Sequence, residues 1–247
     1  MAAPPATARP GTVVRYLLAA RLGLCEMRGM AEANRTPDRI LVMLLALGAG
    51  STDAIVIVGF KVLTAAQTGN TILLAAALAQ GDWRTGLAAG LSVAGFVTGA
   101  LAGSWLLVRE RASVARVLCL ELAMLGGVTA GWLLAASPHP ATGLLIVAAT
   151  AAAMGLQSAV MLHQKTSSTT YVTGVLAAFA RHAVSPRDQP GAPAPEARFE
   201  AGVWLVYFTG AVGGAWLFSF LGVPALLLSM AALAAAALIA ARTSRRA

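Results

Sequence analysis

Of the 247 residues, 58% are hydrophobic and 11% charged, against about a quarter charged in an ordinary soluble domain. An integral membrane protein is therefore expected. The formal net charge of +8 would suit a nucleic-acid partner, but the arginines gather in connections and at both ends, as positive-inside topology requires, and no basic face sits on a soluble module.

Residues 1–39 carry Ala-Pro repeats and many arginines. They lack the long apolar core and small-residue cleavage site of a secretory signal, and read as a partly disordered, basic cytoplasmic tail. From Ile40 the chain turns apolar, with spans of roughly 20 residues, the length a helix needs to cross a bilayer. The first runs over 40–60. The next apolar segment, 62–80, is interrupted by Gln67-Thr68-Gly69-Asn70-Thr71 and is short for a crossing. Spans follow over 87–108 and 117–136, separated by the charged connection Arg109 to Arg116. Ser137-Pro138-His139-Pro140 is a turn by composition. A span over 141–162 leads to a polar run and to Tyr171-Val172-Thr173-Gly174. The residues from 181 to 200 form a Pro-rich loop, the spans 201–221 and 223–241 complete the membrane part, and 242–247 form a basic cytoplasmic tail.

The chain repeats itself. Thr68-Gly69 matches Thr173-Gly174 at 173 − 68 = 105, an offset that also sets Gly50 on Gly155 and Ala54 on Ala159. Thr98-Gly99-Ala100 with Gly103 and Trp105-Leu106 matches Thr209-Gly210-Ala211 with Gly214 and Trp216-Leu217 at 209 − 98 = 111. The fold class expected is therefore an all-α integral membrane protein with about six transmembrane helices and two short broken or re-entrant helices. They fall in two repeated halves, 40–136 and 137–241. Six crossings give an inverted repeat with Arg109 to Arg116 and both termini on the cytoplasmic side. Eight crossings would give a parallel repeat with that connection outside, against the positive-inside tendency.

An ionisable group in hydrocarbon costs upward of roughly 2.5 kcal/mol, so it usually faces a protein interior or an aqueous cavity. Asp53 is such a group. It anchors a candidate solute, proton or cation site together with Thr68, Gly69, Asn70, Gln157, Thr173 and Gly174. The plainer alternative is that Asp53 makes a structural hydrogen bond and that Thr68, Asn70 and Thr173 cap broken helices. Gly99, Gly103, Gly210 and Gly214 form small-residue motifs for helix packing, and Trp105 and Trp216 read as interface anchors or packing. Glu121 lies about 7.5 Å along a helix from Arg116, and reads as a snorkelling or paired acid rather than a site residue. Cys25 and Cys119, far apart in the chain, read as free buried thiols rather than a disulfide or metal pair. His139, His163 and His182 stand apart without ligand spacing, so no metal is expected. No cofactor or enzymatic activity is expected either, since a nucleophile and base at usable spacing are lacking.

Gly50-x-x-Asp53-Ala54, Gly59-Phe60 and Thr68-Gly69-Asn70, with Gly155-Leu156-Gln157-Ser158-Ala159 and Thr169 to Gly174, resemble the YoaK family of bacterial membrane proteins of unknown function. The likeness covers about 40–241, with Ser158 where Asn is expected. It implies a bacterial inner-membrane protein with six spans and no established activity. The reading is a small-solute or ion permease using alternating access, or else a non-transporting scaffold or sensor. The partners expected are the lipid bilayer and a small solute or proton. Nucleic acid is not expected, and homo-oligomerisation is left open.

Overall fold

A computed structural model describes residues 39–134, 140–164, 176–177, 180 and 194–244. These form seven α-helices: α1 (Arg39–Phe60), α2 (Gln67–Gln80), α3 (Trp83–Val108), α4 (Val114–Leu134), α5 (Pro140–His163), α6 (Ala194–Leu221) and α7 (Leu227–Ser244). A 3-10 turn, Val223–Leu226, joins α6 to α7. All but α2 are long and apolar enough to cross a membrane, giving six candidate spans. Helix is the form such sequences take in lipid, because backbone N–H and C=O groups must then be satisfied within the segment.

Helices α3 and α4 begin three or four residues earlier than the sequence reading placed them, and three other boundaries differ in kind. The Pro-rich loop ends earlier than expected, since α6 begins at Ala194. Pro195 falls in its first turn, where a backbone N–H has no intrahelical acceptor in any case. Helix α7 continues to Ser244, so the basic C-terminal segment starts as helix. The break in the first polar stretch precedes Gln67, and Thr68-Gly69-Asn70 form the first turn of α2 rather than the break itself. Residues 1–38, Thr173 and Gly174 lie outside the described residues.

The break is a re-entrant turn. Helix α1 closes at Lys61, which takes a left-handed φ of 63° and donates its N–H to the Ile57 carbonyl. The chain then runs back beside α1 until Thr64 and Ala65 reach Asp53. Asp53 lies seven residues before the end of α1, so the segment descends about 10 Å. Helix α2 climbs back antiparallel to α3, with Ala77 opposite Gly86 and Leu74 opposite Gly90. Its C-terminus closes on Gly81 at φ 71°, where the Cβ of any other residue is disfavoured. Asp82 caps α3 by accepting the Thr85 N–H at 3.2 Å, and its bonds to Thr85 hold its carboxyl below the usual range. Residues 61–82 therefore enter and leave on one face of the bundle.

Helices α1 and α5 are the inner pair, each with 72% of its apolar window buried, against 22% in α3 and 17% in the α6 span. They cross antiparallel: Gln157 reaches the Leu45 carbonyl, while Phe60 lies against Gly143. Helix α1 packs most extensively on α6, and α5 on α3. Both contacts are parallel and built on glycine. A Cβ at Gly50 would strike the Tyr207 carbonyl, and one at Gly155 the Phe96 carbonyl. Gly210 sits on the Leu47 backbone and Gly214 on Ser51, while Gly99 sits on Ala152 and Gly103 on Leu156. Each contact in the first set maps onto its counterpart in the second at the two offsets, 105 and 111. Helices α4 and α7 pack on each other and on the inner pair.

Candidate functional site

Two buried polar groups stand out, and the residues singled out in the sequence divide between them. The first clamps the re-entrant turn. Asp53 is 2% exposed. Its Oδ1 accepts from the Thr64 N–H at 2.7 Å, the Thr64 hydroxyl at 2.9 Å and the Ala65 N–H at 2.8 Å. Its Oδ2 accepts from the Tyr207 hydroxyl of α6 at 2.9 Å. Hydrogen bonds to a charged acceptor contribute about 1.5–3 kcal/mol each, which offsets the cost of placing a carboxylate in apolar surroundings. Asp53 therefore fastens the turn to α1 and α1 to α6.

Asn70 works one turn further on. Its Oδ1 accepts the Leu63 N–H at 2.9 Å, and its Nδ2 donates to the Leu63 carbonyl at 2.6 Å and to Ser92 Oγ of α3 at 2.8 Å. Ser92 donates in turn to the Leu63 carbonyl, and the Gln67 amide donates to the Thr64 carbonyl at 2.7 Å. An extended segment has no intrahelical partners of its own, so these side chains supply them where water cannot. The N-terminus of α2 has no side-chain cap. Thr68 is exposed and Gly69 half-buried, so neither joins the clamp by its side chain.

The second group lies where α1, α4, α5 and α7 meet. Glu121 of α4 is 1% exposed, and neither carboxyl oxygen has a hydrogen-bond partner among the described residues. This corrects its reading as a snorkelling or Arg116-paired acid. It turns inward because the buried face of α4 runs through Val117, Leu118, Glu121, Leu125 and Thr129, one stripe at helical spacing. Around it stand Leu45 and Gly48 of α1, Met154 and Gln157 of α5, and Ser229 and Leu233 of α7. The space they enclose is too narrow for a water molecule. Gln157 donates to the Leu45 carbonyl at 3.0 Å, and Thr52 donates to Ser229 Oγ at 2.9 Å. At the offset of 105, Thr52 corresponds to Gln157.

Gly99, Gly103, Gly210 and Gly214 are buried in the two parallel helix contacts. Trp105 and Trp216 face outward near the C-terminal ends of α3 and α6, which lie on opposite faces of the bundle. Cys119 is free and exposed on α4, which corrects the expectation of a buried thiol. His163 is exposed at the end of α5, while Cys25, His139 and His182 lie outside the described residues. Tyr207, Ser92, Thr52, Ser229 and Glu121 were not singled out as site residues in the sequence. Only Glu121, a lone acid in an apolar span, carried a local signal that could have found it.

Six apolar helices around two buried polar groups define a multi-pass helical membrane protein. Residues 41–239 match the family described as a protein of unknown function, DUF1275, and the chain belongs to that family. No curated protein and no solved structure matches it.

Proposed function

We propose that the chain is a small inverted-repeat permease that moves a small solute or ion across a bacterial inner membrane, with both termini in the cytoplasm. The observation that carries this reading is Glu121, a buried acid without a hydrogen-bond partner among the described residues, beside Gln157 at a crossing of helices drawn from both halves. Polar groups near the midplane, at an interface between antiparallel repeats, are the architecture of alternating-access transporters. The recurrence of the glycine contacts at both offsets and the antiparallel crossing of α1 and α5 support a duplication with inversion. The orientation rests on Arg39, Arg109, Arg111, Arg116, Arg198 and Arg242, which gather on one face of the bundle. The resemblance to the YoaK family supports the choice of membrane.

Asp53 favours a second reading, a non-transporting scaffold, because both its oxygens are engaged, Oδ1 in holding the turn and Oδ2 in tying α1 to α6. One experiment separates the two without knowledge of the solute. With Cys25 and Cys119 replaced by serine, Ser229→Cys is probed with a small membrane-impermeant thiol reagent, from outside in intact cells and from inside in inverted vesicles. A permease exposes this position to each side in turn, so labelling is expected from both. A cysteine that stays unlabelled from either side would leave the scaffold as the better account.

A further inference from the structure

We infer that Glu121 is a proton-binding site and that the proton is the ion coupled to transport, an inference that rests on the permease reading for its second half only. A carboxyl group placed for structural reasons acquires donors, and Asp53 in the same helical bundle accepts from Thr64, Ala65 and Tyr207. Glu121 has none among the described residues on either oxygen. A leucine there would fill the same stripe without the cost of a buried polar group.

The surroundings select the ligand. A metal cation needs several oxygen donors, but the lining is chiefly Leu, Met and Gly. The Ser229 hydroxyl is already engaged by Thr52. A hydrated ion or an organic solute needs volume, and with the helices closed as they are here the space does not admit one water molecule. A proton needs one oxygen and no volume.

Among the described residues no counter-charge lies beside it. Helix α1 carries Arg39 and Asp53, α3 only Arg84 near its start, α5 only His163 at its end and α7 only Arg242 near its end, while the 3-10 turn carries none. None of these lines the space around Glu121. When the helices part toward one side, the carboxyl group meets water and releases its proton as hydronium. When they close it must be neutral again, because the ionised form would be left without a partner. Loading and unloading thus follow the opening of the central space.

The test is infrared difference spectroscopy on the full-length protein in lipid bilayers, taken between acid and alkaline buffers. A protonated-carboxyl band that titrates is expected in the wild type and in Asp53→Asn. In Glu121→Gln, which keeps the shape and removes the titrating proton, the band should be lost. If that variant fails to accumulate, Glu121→Asp should shift the band instead. A titration that is unchanged in the Glu121 variants, or a Glu121 band that responds to sodium at constant pH, would overturn the inference. Proteoliposomes loaded with a pH-sensitive dye give the second readout, with proton uptake under an imposed potential lost in Glu121→Gln.

The two proposals fail separately. A titrating Glu121 with a closed Ser229→Cys leaves proton binding standing and removes transport. A Ser229→Cys open to both sides without a titrating Glu121 does the reverse.

Discussion

Removing the Asp53 carboxylate strands two backbone N–H groups, those of Thr64 and Ala65, inside apolar surroundings. Each unsatisfied buried group costs about 1–3 kcal/mol, so Asp53→Ala is expected to lose roughly 3–5 kcal/mol, read as a fall in the thermal unfolding midpoint in detergent. Tyr207→Phe removes one bond and keeps the ring. The position related to Tyr207 by the offset of 111 is Phe96, so the aromatic packing has a precedent, and a loss of about 1–2 kcal/mol is expected by the same measurement. Equal losses in the two variants would show that the turn does not depend on Asp53. The position of Asp53 was legible in the sequence because an acid between apolar runs stands out without any partner in view. Its partner was not, since Tyr207 lies 154 residues away. Glu121 was legible by the same logic, but Arg116 nearby in the sequence supplied a local partner that the buried stripe of α4 denies it.

At the level of the helices, glycine decides where the backbones meet. Gly50 and Gly155 lie against carbonyl groups of the neighbouring helix, whereas Gly127 and Gly131 of α4 have nothing among the described residues within 4 Å of an added Cβ. Gly50→Ala and Gly155→Ala are expected to cost about 2–3 kcal/mol each, because the helices must separate. Gly127→Ala and Gly131→Ala should be neutral or stabilising by up to about 1 kcal/mol through helix propensity. Thermal unfolding of the four variants checks this, and four similar midpoints would remove glycine from its role. The two offsets were readable from sequence as identities. What they mean for packing was not, since identity says that two segments are alike and not what each one touches. The break before Gln67 was misplaced for a related reason: Thr68-Gly69-Asn70 has the composition of a turn, yet Asn70 acts on the Leu63 backbone from within a helix.

For the molecule as a whole, the proposed topology makes one direct prediction. With Cys25 and Cys119 replaced by serine, a reporter at Ser113→Cys, between α3 and α4, should react with an impermeant thiol reagent only after the membrane is opened. Labelling in intact cells would invert the orientation or add crossings. The six spans were legible from hydropathy alone, because length and apolar content are local properties. The pairing of α1 with α6 and of α5 with α3 was not. That pairing bears on how the protein is made. Helix α1, the first of the described helices, has its main neighbour in α6, the sixth, so Asp53 is made long before Tyr207. Until then α1 depends on lipid, on its own re-entrant turn or on the insertion machinery for company. The bond between Asp53 and Tyr207 that ties α1 to α6 can therefore close only after α6 has been made.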